Sequence, residues 1–190
     1  MRRLPLLAAT TALLAAVAGL SGPAPALADE PAATLVLAAR SIGSRRGDPP
    51  ERRAHAALLV TFAGKPGGVI VQGGKEPVRH WFRDSARVVG YVIPCADPAV
   101  EFTRAAGAFW GEGSVRELPT TALARFTVPG LTEERVRAIV AALNEELSAR
   151  DYRLDPGPSS NSLVSRFLEA LKLPLPPVGG AELPGWGWRP

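Results

Sequence analysis

The segment His55–Phe62 (HAALLVTF) is the feature of this 190-residue chain that most constrains its fold. Residues alternate between the two sides of a strand, and here both sides are mainly apolar. A strand of this kind is typical of the middle of a sheet that is buried on both faces. We therefore place it at the centre of a sheet, with one face formed by His55, Ala57, Leu59 and Thr61 and the other by Ala56, Leu58, Val60 and Phe62.

Other segments with strand-like patterns surround this one. They are Thr34–Arg40, Val69–Gln72, Arg87–Ile93 and Thr121–Val128. A glycine-rich stretch, residues 64–68, predicts a β-hairpin between the second and third strands, and Gln72–Gly74 is predicted to be a further turn.

Two late segments have apolar residues at helical spacing, from about Glu133 to Arg150 and from about Ser160 to Lys172. Thr132 is the predicted N-cap of the first, and Asp97 could cap a short helix ending near Ala106. The pattern predicts an α+β fold in which a small antiparallel sheet packs against helices.

The first 28 residues have the three parts of a secretory signal. Arg2 and Arg3 precede an apolar stretch, and an A-x-A site ends at Ala28. A retained membrane anchor is the alternative, although the stretch is short and rich in Ala and Thr. We expect residues 29–190 to form a single α+β domain with an irregular, tryptophan-containing tail, secreted or periplasmic and without a stable membrane anchor after cleavage.

The charge balance and the numbers of His and Cys exclude several classes of function. The chain has 22 Lys and Arg against 18 Asp and Glu, a net charge of +4. Two of the arginines lie in the signal, which leaves a net charge of +2, too weak to predict nucleic-acid binding. With two His and one Cys, no metal site is expected, and no sequence feature calls for a cofactor. The single Cys95 cannot form an internal disulfide.

The most distinctive motif is GPSSNSLV, residues 157–164, at the start of the last predicted helix. With LPGWG at residues 183–187, it resembles the GPNSNS and PGWG motifs of bacterial exported and toxin-associated proteins. Those proteins are similar to the permuted papain-like (NlpC/P60-like) superfamily. The resemblance also takes in the strand that begins with His55 and the Gln-Gly-Gly sequence at residues 72–74.

This resemblance implies a permuted papain-like fold, in which the His strand precedes the nucleophile helix in sequence. It places Ser160 at the nucleophile position, His55 as the base and Gln72 as the group that orients the imidazole. The chain departs from the family pattern at two positions, with Ser159 in place of Asn and Ser160 in place of Cys. A serine gains little from the helix dipole near neutral pH, so it needs a well-placed base and an oxyanion hole.

Each candidate also has a structural interpretation. Ser159 and Ser160 could simply cap a helix. Asn161 could bind substrate or cap the backbone locally, and Trp186 could line a groove or pin the tail to the domain. Cys95, just before the possible helix after Asp97, is a rival nucleophile, with His55 or His80 as its base.

The functional prediction is an exported protein acting in the cell envelope on an amide or ester, as a hydrolase or acyl transferase. The alternative is a non-catalytic envelope-binding protein that keeps the scaffold without the cysteine nucleophile. A third possibility is an exported domain that shares only the fold. The partner expected in each of the first two cases is a component of the cell envelope, and the sequence does not define an oligomeric state.

Overall fold

The computed structural model describes residues 31–41, 54–75, 87–104, 120–153, 157–178 and 183–189. In this part of the chain five strands form one antiparallel sheet, in the order β4-β3-β2-β1-β5. The strands are β1 (Ala32–Ser41), β2 (Ala54–Phe62), β3 (Gly68–Lys75), β4 (Val88–Cys95) and β5 (Thr120–Pro129). The helices are α1 (Pro98–Arg104), α2 (Glu133–Ser148) and α3 (Ser160–Ala170). The predicted α+β class and the antiparallel sheet packed against helices are confirmed.

The central position of β2 is also confirmed. Its residues Ala56, Leu58, Val60 and Phe62 belong to the main core, which also contains apolar residues of α2 and α3. On the opposite face, Ala57 and Leu59 pack in a smaller cluster with Phe102 of α1. The two faces of β2 are thus covered by different helices, as the double apolar pattern predicts.

Local capping explains where the first two helices begin. The Asp97 carboxylate accepts hydrogen bonds from the N–H groups of Ala99 and Val100, at 2.9 and 3.2 Å. The Thr132 hydroxyl accepts from the N–H of Arg135 at 3.2 Å. Both caps are the ones predicted from the sequence, and they satisfy N–H groups that the first turn of a helix leaves without partners.

Asn144 of α2 fixes that helix to the outer strand β4. Its side-chain oxygen accepts from the N–H of Gly90 at 2.6 Å, and its side-chain nitrogen donates to the Gly90 carbonyl at 3.2 Å. The amide therefore satisfies backbone groups of the edge strand as a neighbouring strand would.

The turn predicted at Gln72–Gly74 is wrong, because β3 continues to Lys75 and pairs with β4 over its whole length. The glycines serve packing instead of a turn. A Cβ atom on Gly73 would lie 2.7 Å from the Cα of Ser160, so only glycine allows the start of α3 to rest on the strand.

We predict that Gly73→Ala lowers the free energy of unfolding by about 1–3 kcal/mol, because the new methyl group meets the Ser160 backbone. Gly74→Ala is the matched control, since its Cβ would meet the ring of Tyr91, a side chain that can move aside. Chemical denaturation of the two variants measures the difference. Equal stability losses would contradict this account of Gly73.

Candidate functional site

Ser159 is the residue that caps the start of α3, so the hydroxyl of Ser160 can contact another partner. The Ser159 hydroxyl accepts from the N–H of Asn161 at 3.2 Å, and the Ser159 N–H donates to the hydroxyl of Ser162 at 2.9 Å. This reciprocal pair is a capping box. The structural interpretation of the two serines therefore applies to Ser159, whereas Ser160 is the first residue of the helix itself.

The side chain of Asn161 takes the place of a strand beside β2. The β2–β3 ladder ends at the pair Ala57–Gln72, while β2 continues back to Ala54 beside β1. At this opening, the Asn161 side-chain oxygen accepts from the Ala56 N–H at 2.8 Å, and its nitrogen donates to the Ala54 carbonyl at 3.1 Å. The two backbone groups flank His55, so this contact fixes His55 relative to the helix that begins with Ser160.

The structure brings together the three residues to which the sequence assigns catalytic roles. The Ser160 Oγ lies 3.2 Å from the Nδ1 of His55, and the His55 Nε2 lies 3.2 Å from the side-chain oxygen of Gln72. Because an amide oxygen only accepts hydrogen bonds, Nε2 carries the imidazole proton in this arrangement. Nδ1 is then free to accept the Ser160 hydroxyl proton.

A buried cation lies beside this group. Arg40 is opposite His55 in the β1–β2 register, and it is 7% exposed. It donates to the Phe102 carbonyl at 2.7 Å, and its guanidinium carbon lies 4.6 Å from the centre of the Phe102 ring. The same ring lies 6.5 Å from the His55 ring, centre to centre, so Phe102 borders both side chains.

These surroundings keep His55 neutral. Although the residue keeps some contact with solvent, its ring is desolvated, and this lowers the pKa of His55 to about 4, with a further contribution from the charge of Arg40. The hydrogen bond to Gln72 acts in the opposite direction. Burial also lowers the pKa of Arg40 from its ordinary value. At neutral pH the site therefore contains an uncharged Ser–His–Gln group next to one cation.

The PGWG segment binds the start of α3 through its backbone. The Pro184 carbonyl accepts from the hydroxyl of Ser159 at 2.5 Å and from the Asn161 side chain at 3.2 Å. The Gly185 carbonyl accepts from the Ser162 hydroxyl at 2.7 Å. Trp186 is half-buried against the main core, in agreement with a tail that is pinned to the domain.

Asn161 and Trp186, predicted as substrate-binding residues, thus both lie at the α3–tail contact. Three backbone groups occupy the amide of Asn161. The aromatic ring recorded next to His55 is Phe102. A substrate-binding role for either residue stays a prediction.

Cys95 lies away from His55. It pairs with Gly68 at one end of β3, whereas the ladder reaches His55 beyond Gln72 at the other end. Six residues of extended strand separate these ends by about 20 Å. Desolvation and the nearby carboxylates of Glu101 and Asp97 also raise the pKa of the Cys95 thiol. The scheme that pairs Cys95 with His55 has no geometric support, and His80 lies outside the described residues.

The described residues contain neither a metal-binding cluster nor a membrane-spanning helix. In the described ranges, no three His, Cys, Asp or Glu side chains are grouped closely enough to hold a metal ion. No helix in the same ranges is long and apolar enough to span a bilayer. The predicted signal, residues 1–28, lies outside the described residues.

Comparison with known proteins gives no match to a family model, a curated protein or a solved structure. The α+β architecture by itself does not identify a papain-like fold. The resemblance to that superfamily therefore depends on the two motifs and on the order of the strand and helix that carry His55 and Ser160.

Sequence reasoning missed Arg40 and Phe102. Arg40 lies near the end of a strand of otherwise small and apolar residues, and antiparallel pairing of the first two strands would have placed it near His55. Phe102 gives no comparable signal, because its position depends on how α1 packs against the sheet.

We predict that Asn161→Ala lowers the free energy of unfolding by about 3 kcal/mol, because it leaves the buried N–H of Ala56 and carbonyl of Ala54 without partners. It should also change the NMR chemical shifts of the His55 ring. Asn144→Ala is the control, since it removes a similar pair of hydrogen bonds at β4. Unchanged His55 shifts in Asn161→Ala would contradict the positioning role.

We predict that His55 makes the fold less stable in acid. The unfolded chain binds a proton at this residue below a pKa of about 6.5, whereas the folded protein does so only near 4. The contribution of His55 to stability is therefore lost as the pH falls from about 7 towards 4. Denaturation of the wild type and of His55→Gln at several pH values isolates the contribution of His55 to the free energy of unfolding. A stability difference independent of pH would contradict it.

Proposed function

We propose that the protein is a serine-dependent acyl-transfer enzyme, a hydrolase or transferase of an amide or ester. The observation that carries the proposal is the continuous contact from the Ser160 hydroxyl through the His55 ring to the Gln72 amide, with both distances at 3.2 Å. A nucleophile within reach of a base, which is held in turn by a third group, is the common arrangement for nucleophilic catalysis by serine.

In the proposed reaction these side chains transfer the proton and form the covalent bond. The Ser160 hydroxyl passes its proton to the Nδ1 of His55 while Oγ attacks the carbonyl carbon of the substrate. The tetrahedral intermediate collapses when His55 returns that proton to the departing nitrogen or oxygen, which leaves an ester on Ser160. Water, or an acceptor in a transferase, then attacks this ester while His55 takes its proton. The bond between the acyl carbon and Oγ breaks, and His55 returns the proton to Ser160 Oγ, which releases the acid or the transferred acyl product.

The position of Ser160 at the start of α3 favours this reaction. The N–H groups of Asn161 and Ser162 donate to the hydroxyl and carbonyl of Ser159, so the first turn contributes mainly through the helix dipole. The positive end of that dipole stabilises negative charge on the carbonyl oxygen of the intermediate. The dipole does little to ionise a serine in the ground state, so its benefit lies in the transition state.

The permuted papain-like scaffold is part of this proposal. It is supported by the order of the elements, because the strand with His55 precedes the helix with Ser160, and Gln72 follows on the adjacent antiparallel strand. Action in the cell envelope, after secretion or in the periplasm, is likewise proposed from the signal predicted in residues 1–28.

One observation favours the alternative of a non-catalytic envelope-binding protein. The charge on Arg40, together with burial, opposes protonation of the His55 ring, and the neutral Gln72 offsets this only through its hydrogen bond. The imidazolium form, which the reaction requires, is therefore harder to reach. A folded protein that shows no reaction at Ser160 would support this alternative.

We predict that a fluorophosphonate probe labels the purified protein at Ser160 and does not label Ser160→Ala. His55→Gln should slow labelling by at least about a hundredfold, the typical loss when a general base is removed. Ser165→Ala is the control, because this serine lies on the same helix and contacts the Gly187 N–H instead of His55. Peptide mass spectrometry locates the adduct.

Thermal unfolding of the same variants checks that Ser160→Ala remains folded. Labelling of Ser160→Ala at the wild-type rate would contradict the assignment of the nucleophile. No labelling of the folded wild type would overturn the enzymatic proposal.

A further inference from the structure

Among the described residues, the recorded contacts of Arg40 include no negative group that would balance its charge. Its side chain is 7% exposed, yet its recorded partners are the neutral carbonyl and ring of Phe102. The salt bridges found in the described ranges involve Arg137, Arg166 and Arg189. A buried cation costs several kcal/mol unless an anion pairs with it, and a guanidinium carries five N–H donors.

The buried charge of Arg40 lies beside the candidate base. Arg40 is the cross-strand partner of His55, so the bases of the two side chains lie about 5 Å apart on the same face of the sheet. Among the described residues, four whose side chains lie around the imidazole come from four different elements. They are Arg40 of β1, Gln72 of β3, Phe102 of α1 and Ser160 of α3. Of these, Arg40 alone is charged.

We propose that Arg40 recognises a carboxylate group on the amide or ester that Ser160 attacks. This inference rests on the proposed function and specifies its substrate class. A guanidinium suits a carboxylate because two parallel N–H groups can bind its two oxygens. The bound substrate thereby supplies the counter-charge that the described residues do not provide.

Binding of a carboxylate also changes the pKa of His55, the proposed base. The anion offsets the charge of Arg40, and this raises the pKa of His55 towards its ordinary value. A base with a pKa closer to the working pH accepts the Ser160 proton more readily. An anionic substrate therefore both binds beside Arg40 and activates the residue that deprotonates its nucleophile, whereas a neutral substrate of the same shape does neither.

The first experiment measures binding without requiring turnover. N-Acetylglycine is the anionic probe, and N-acetylglycinamide is its neutral counterpart. NMR titration of the labelled protein follows the ring of His55. We expect N-acetylglycine, and not the amide, to shift the His55 resonances and to raise the pKa of His55. The effect should disappear in Arg40→Met, be partly kept in Arg40→Lys and be unchanged in Arg125→Met, which removes an exposed arginine from β5.

The second experiment measures selectivity with two activated esters of similar size, the anionic p-nitrophenyl succinate and the neutral p-nitrophenyl butyrate. We expect the wild type to prefer the succinate ester, and Arg40→Met to reduce the ratio of the two kcat/KM values by about tenfold or more. Because both esters react in the same variant, a general loss of folding or of active protein leaves this ratio unchanged.

The outcomes separate the two proposals. If both esters are cleaved equally and N-acetylglycine leaves His55 unaffected, the carboxylate proposal fails while the acyl-transfer function stands. If neither ester is cleaved but N-acetylglycine binds in an Arg40-dependent way, the enzymatic proposal fails and the anion site remains. A response to N-acetylglycine that survives in Arg40→Met contradicts the role of Arg40, whichever way the esters behave.

Discussion

The insertion of the start of α3 into the sheet is the contact on which the rest of the candidate site depends. Where β2 and β3 separate, the Asn161 amide bonds to the backbone on both sides of His55. Gly73 provides the space in which the Ser160 backbone rests on β3. Both contacts are made to main-chain atoms, whose positions are set by strand pairing. Strand pairing and these two contacts therefore fix the backbone positions from which the side chains of Ser160 and His55 meet.

The serine-rich helix start and the PGWG segment form one structural unit. Ser159, Ser162 and Ser165 are fully buried. A buried hydroxyl without a partner would be destabilising, and each of these has one, in the backbone of residues 184–187 or of the helix itself. Packing and capping thus account for every serine of the helix start except Ser160. Its recorded partner is the ring nitrogen of His55, a contact that the capping of the helix does not require.

The sequence predicts most of the secondary structure because local patterns decide it. The double apolar pattern of β2, the helical spacing in α2 and α3 and the caps at Asp97 and Thr132 each depend on near neighbours in the chain. Gly73 shows where such reasoning fails. Two adjacent glycines indicate a turn when only local chemistry is considered, and the helix that covers Gly73 is about 90 residues later. The meeting of Ser160, His55 and Gln72 is predicted only through the resemblance of the two motifs, because nothing in their spacing predicts it. Arg40 required the β1–β2 register, which strand patterns alone leave open.

The hydroxyl of Ser160 responds to the buried charge of Arg40 differently from a thiol at the same place. Beside a cysteine, a buried cation would stabilise the thiolate in the resting protein. Ser160 stays protonated at rest, so the field of Arg40 acts on charge only as it develops. In the proposed reaction this field stabilises the negative intermediate but opposes the positive imidazolium, and with burial it holds the pKa of His55 at about 4. A negative group on the substrate offsets the charge of Arg40, which makes the imidazolium easier to form and leaves the helix dipole to stabilise the intermediate.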